Sequence, residues 1–80
     1  MRWQDVKTYR DRKPFVPFRI VFTDGRVIDI PHPDYLFVTP HIIDIAVAVH
    51  PQSGVPTETI IAAPVHIVRL EYLQPMPEET

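Results

Sequence analysis

Four histidines, ten acidic side chains and the run His32-Pro33-Asp34 are the parts of this 80-residue chain best suited to chemistry. His32, His41, His50 and His66 do not fall at H-x-H, H-x-x-x-H or HExxH spacings, and a site of histidines and carboxylates needs three or four converging ligands. A nucleophile is equally poorly provided for. Cysteine is absent, Ser53 is the single serine, and its surroundings "PQSGVP" lack the G-x-S-x-G elbow. The acids are scattered rather than paired, and two glycines, Gly25 and Gly54, cannot build a phosphate-cradling loop. The chain therefore reads as a non-enzyme with no catalytic residue, metal or cofactor.

The elements around these residues follow from periodicity and proline. Trp3, Val6 and Tyr9 or Arg10 recur at three-residue steps, which suits a short amphipathic helix that must end by Pro14. "KPFVPF" is then a stiff extended connector. From Phe18 the period is two, with Phe18, Ile20 and Phe22 on one face and Arg19, Val21 and Thr23 on the other. Asp24-Gly25 predicts a two-residue type I′ hairpin turn, with a return strand over 26–30.

Pro31 and Pro33 withdraw two ladder donors within three residues, so Pro31, His32 and Pro33 make a bend that stops the strand. Asp34 after that bend is placed to accept backbone N–H bonds. A strand starts near Tyr35, is interrupted by Pro40, and resumes with Ile43, Ile45, Val47 and Val49 on one face and Ile42, Asp44, Ala46 and Ala48 on the other. "TETIIAA" returns, Pro64 breaks it, and "VHIVRLEYL" forms a last strand before a tail, 74–80, expected to be disordered. The expected fold is mainly β (α+β): a short N-terminal helix followed by about five antiparallel strands, in a small barrel of the SH3-like or Sm-like kind, as a single domain over 1–73.

A chain of this length buries only about 60% of its unfolded surface, and without cysteine it cannot be stapled by disulfides. Self-association or a protein partner is the expected remedy. The longest apolar run, "HIIDIAVAVH", is interrupted by Asp44 and falls far short of the roughly 20 residues of a membrane span. With no hydrophobic leader region either, a cytoplasmic location without membrane attachment is expected. Charge is uneven: residues 1–26 hold seven of the eight Lys and Arg and sum to +4, whereas residues 27–80 sum to −6. Such asymmetry suits head-to-tail assembly of copies, or a basic arm for RNA in which Arg2, Lys7, Arg10, Arg12, Lys13 and Arg19 meet phosphates while Trp3, Tyr9 or Tyr35 stacks on bases.

Resemblances add to this reading. His32-Pro33-Asp34 spells the signature of J-domain co-chaperones, but there it lies between two long helices, and here it joins "RVIDI" to "YLFV". The tripeptide is thus read as a bend. "KPFVPFRIVFTDGRVIDIPHPDYLFV" resembles the core of a family of short bacterial proteins of unassigned activity, with P-F-x-P-F-R-I, D-G-R and H-P-D elements and an "I-x-x-L-E" closing strand, here Ile67 to Glu71. That resemblance implies a helix-plus-barrel domain and no particular activity. The layout is also similar to the Sm and Hfq group of RNA-binding rings. It implies that neighbouring subunits pair edge strands, and that Asp34, Tyr35 and His66 stand where that group lines its RNA pocket.

Overall fold

The computed structural model describes residues 1–75; most of the expected tail lies outside the described residues. Helix α1 (Trp3–Asp11) is followed by β1 (Phe18–Phe22), β2 (Val27–Ile30), a 3-10 turn (Pro33–Tyr35), β3 (Leu36–Val38), β4 (Ile43–Val49), β5 (Pro56–Ala62), a second 3-10 turn (Pro64–His66) and β6 (Ile67–Tyr72). The fold is mainly β with one helix, as its periodicities predict. Six antiparallel strands replace the expected five, in two three-stranded sheets of order β2-β1-β6 and β3-β4-β5 rather than in a closed barrel.

The extra strand arises at Pro40. Instead of interrupting one strand, the segment around it reverses the chain, and β3 pairs back onto β4 with Leu36 opposite Ile45 and Val38 opposite Ile43. Thr39 closes this turn. Its backbone N–H donates to the Ile42 carbonyl at 2.9 Å, and its hydroxyl both donates to that carbonyl and accepts from the Ile42 N–H. Proline lacks the donor that a continuing ladder would need, so the reversal is the cheaper path.

The β1–β2 hairpin forms, with a different turn from the expected type I′. Within this turn only Gly25 has positive φ, at 88°, while Asp24 does not. The Gly25 N–H donates to the Phe22 carbonyl and the Phe22 N–H to Arg26, giving a three-residue Thr23-Asp24-Gly25 loop. An L-residue such as Asp24 avoids the left-handed region by shifting the whole burden to glycine. Asp24 Oδ1 accepts from the Arg26 N–H at 2.9 Å, so both turn residues keep their structural role. A Cβ at Gly25 would meet nothing within 4 Å, so Gly25→Ala should cost only backbone strain, about 1–2 kcal/mol, read as a lower urea midpoint.

The core lies between the sheets and under α1. Phe18, Ile20, Phe22 and Ile30 from one sheet meet Leu36, Ile43 and Ile45 from the other, and Val6 of the helix and Ile67 complete the cluster. Tyr9 seats the helix: its ring stacks on Tyr72 at 4.7 Å and meets the edge of Phe18 at 5.4 Å. Burial there, with Tyr72 alongside, raises the Tyr9 hydroxyl above its ordinary pKa.

Two of the three register shifts alter which residues face this core. Along β4, Ala46 stands opposite Thr59 and Ala48 opposite Glu58, so Val47 is the extra residue and is 41% exposed rather than packed in line with Ile43 and Ile45. Along β6, Phe22 stands opposite Ile67 and Val21 opposite Arg69, which leaves Val68 unpaired and outside. That single extra residue allows Ile67 and Leu70, three apart, both to join the core cluster.

Candidate functional site

The described surface carries no single concentration of the residues that the sequence marks; it disperses them over distinct regions. On the outer face of β2-β1-β6, Arg19 lies between Asp29 and Glu71 of the flanking strands. It donates to both Asp29 oxygens, at 2.7 and 3.3 Å, so its charge is paired within the sheet. The Arg19 guanidinium, bonded to Asp29, holds that carboxyl below its ordinary value. The pair's stabilisation is complete above the unfolded value of 3.8 and is lost as pH falls through the lowered one. Both side chains are largely exposed, so the acid loss should be small, weakened further by salt and absent in Arg19→Met, as thermal melts between neutral and acid pH would record.

The helix cations are similarly engaged. Lys7 and Arg10 both pair with Asp11, and Arg12 donates to the Pro14 carbonyl. Arg10 also reaches Leu36, donating from Nε to its carbonyl at 2.7 Å. The Leu36 N–H is taken by Pro33, so both polar groups of Leu36 are satisfied and the short β3 edge is blunted. Arg10, Arg12 and Lys13 line a shallow hollow with Phe15 and Pro33, away from the helix start.

Arg2 and Trp3 sit elsewhere. The amino terminus donates to the Pro64 and Ile67 carbonyls at 3.3 and 3.2 Å, which ties the start of α1 to the start of β6. This brings Arg2 and Trp3 beside Pro40 and His41 of the β3–β4 turn and Pro64 and Val65 of the second 3-10 turn, around a groove of about 340 Å³. His66 lies on a larger groove of about 640 Å³, with Phe22, Thr23 and Arg26 from the first hairpin and Ile60 and Ala62 from β5.

The other histidines act locally. His32 packs its ring against Tyr35 at 6.0 Å, and His50 Nδ1 accepts from the Gln52 and Ser53 N–H groups at 3.2 and 3.3 Å, shaping the β4–β5 turn. Among the described residues no three His, Cys, Asp or Glu side chains converge as a metal site would require. Asp34 and Tyr35 belong to the 3-10 turn rather than to a strand, and line a small concavity with Phe37, Asp44, Pro56 and Thr59.

The most extensive unprotected features are strand edges. β5 has seven residues and β6 six, and each pairs on one side only, with β4 and β1 respectively. Exposed aliphatics mark both: Ile61 of β5 is 67% exposed, Val68 of β6 51%, and Val65 just before β6 72%. None of these was distinguishable in the sequence from core residues, because period-two alternation assigns faces but not which strand ends a sheet. Among the described residues no helix is long and apolar enough to cross a membrane. Comparison with protein-family models, with curated proteins and with solved structures gave no match.

Proposed function

We propose that this protein is a non-enzymatic assembly module whose copies join edge to edge, β5 of one copy pairing with β6 of the next. The observation that carries this reading is the pair of long one-sided strands bearing exposed Ile61 and Val68. An edge strand presents a row of unpaired N–H and C=O groups, and natural monomers blunt such edges. Here Arg10 and the 3-10 turn blunt β3, and the amino terminus covers the Ile67 carbonyl at the start of β6, whereas among the described residues no side chain donates to the backbone of β5 or of the rest of β6. Pairing two different edges is heterologous, so repetition closes a ring or extends a filament.

The order of strands supports the Sm-like version of this reading. β6-β1-β2 runs through the Pro31–Tyr35 bend into β3-β4-β5, so one path crosses from sheet to sheet and leaves β6 and β5 at the two ends. Sedimentation velocity over about two decades of protein concentration tests it, since association follows mass action. The expected species exceeds the 9.3 kDa chain mass, and a monomer throughout overturns the proposal.

A second reading is single-stranded RNA binding, favoured by the Arg2, Trp3 and His41 groove. A cation beside an aromatic ring offers phosphate contact and base stacking together. Trp3 is the only tryptophan, so its fluorescence reports on that groove directly. Oligouridine at low salt should quench it, with the effect reversed by added salt; an unchanged spectrum at low salt, where phosphate contacts are strongest, sinks this reading.

A further inference from the structure

We propose that the concavity on the outer face of the β3-β4-β5 sheet binds the guanidinium of an arginine presented by a partner polypeptide. Its lining contains two carboxylates, Asp34 and Asp44, and two aromatic rings, Tyr35 and Phe37, with Pro56 and Thr59 of β5 on the far side. Its volume of about 120 Å³ suits one head group rather than a nucleotide. The site lies on a sheet face, so it does not depend on the pairing of edges proposed above.

Asp44 gives the site its selectivity. Cross-strand register puts it between Phe37 of β3 and Ile61 of β5, in a row where a carboxylate is flanked by two exposed apolar side chains. Its Oδ1 is shut off from solvent and has no hydrogen-bond partner. A carboxylate partly removed from water is screened less, so a cation meeting its other oxygen from the concavity gains more than it would on an open surface.

Charge complementarity then specifies the occupant. The side chains around the concavity supply negative charge and no Lys or Arg, so an anion or a phosphate backbone would be repelled. Phe37 is 64% exposed, and its ring face is available to a flat cation. A guanidinium offers a planar face to an aromatic ring and several donors in one plane to two carboxylates, whereas an ammonium is a strongly hydrated point charge. The site thus favours arginine over lysine. The tripeptide at 32–34 acquires a use: His32 packs on Tyr35, and the bend delivers Asp34 and Tyr35 to the rim.

The test is an NMR titration of the labelled full chain with N-acetyl-arginine amide, with N-acetyl-lysine amide as the comparison. The arginine probe should shift the signals of residues 34–37, 44 and 59 saturably. The lysine probe should bind at least about fivefold more weakly. Asp34→Asn with Asp44→Asn should weaken the arginine probe about tenfold or more, and Phe37→Ala should weaken it while the thermal melt stays unchanged, because Phe37 lies outside the core. Equal response to both probes, shifts insensitive to these variants, or no shift at all would each overturn the proposal. So would probe-free shifts of residues 34–37 on raising protein concentration, because a second copy would then be the occupant.

Discussion

Phe18→Ala is expected to lower the urea midpoint sharply, through a loss of about 3–5 kcal/mol of stability. Phe18 is fully buried, starts β1, and stands opposite Ile30 on one side and Tyr72 on the other. Tyr9 of the helix meets its edge, and Phe15 of the connector lies 6.0 Å away. One ring therefore joins helix, connector and three strands. Truncating a buried phenylalanine costs about 3–5 kcal/mol, from lost transfer energy and from the cavity left behind. A domain of this size has about 4–12 kcal/mol in total, so the loss takes a large share of it. Urea titration followed by circular dichroism reads the effect, with exposed Val27→Ala as a control within about 0.5 kcal/mol of wild type. Equal midpoints for the two variants would show that the helix and sheets do not depend on this ring.

The second large effect concerns assembly. Val65→Lys combined with Val68→Lys should leave a folded monomer at concentrations where the wild type associates. Both residues are exposed in the single chain, so their replacement leaves the monomer's core intact. Lysine on an edge strand is a natural device against strand addition, since pairing would bring its charge against a neighbouring backbone. Every heterologous contact needs one β6, so a defect there removes all contacts rather than half. A loss of at least about tenfold in association, or 1.4 kcal/mol per contact, is expected by sedimentation. Association that persists unchanged would mean that β6 is not the surface used, and the edge-to-edge proposal would fall.

Local features of the fold are legible in the residue order because their causes are local. The Trp3, Val6 and Tyr9 spacing marks a helix that ends before Pro14, and Phe18, Ile20 and Phe22 mark an inward strand face, as both are found. Asp24-Gly25 marks a hairpin even though the turn is longer than expected. Candidate site residues are less legible. Arg19 and Lys7 look like parts of one basic arm in sequence, yet each is engaged by a nearby acid, Asp29 and Asp11. Asp44 reads only as a polar break in an apolar run. Its position between Phe37 and Ile61 follows from two separate strand registers, neither of which can be read within the run itself.

The sequence by itself determined the mainly β class, the terminal helix and the places where prolines end strands. These follow from propensity, period and composition, which act over a few neighbouring residues. Only the tertiary structure decided that the strands form two sheets, that bulges turn Val47 and Val68 outward, and that β5 and β6 end as edges. It also decided that Asp34, Tyr35, Phe37 and Asp44 line one concavity. Each of those outcomes depends on pairing between segments distant along the chain, where one residue of register changes the face that every side chain presents.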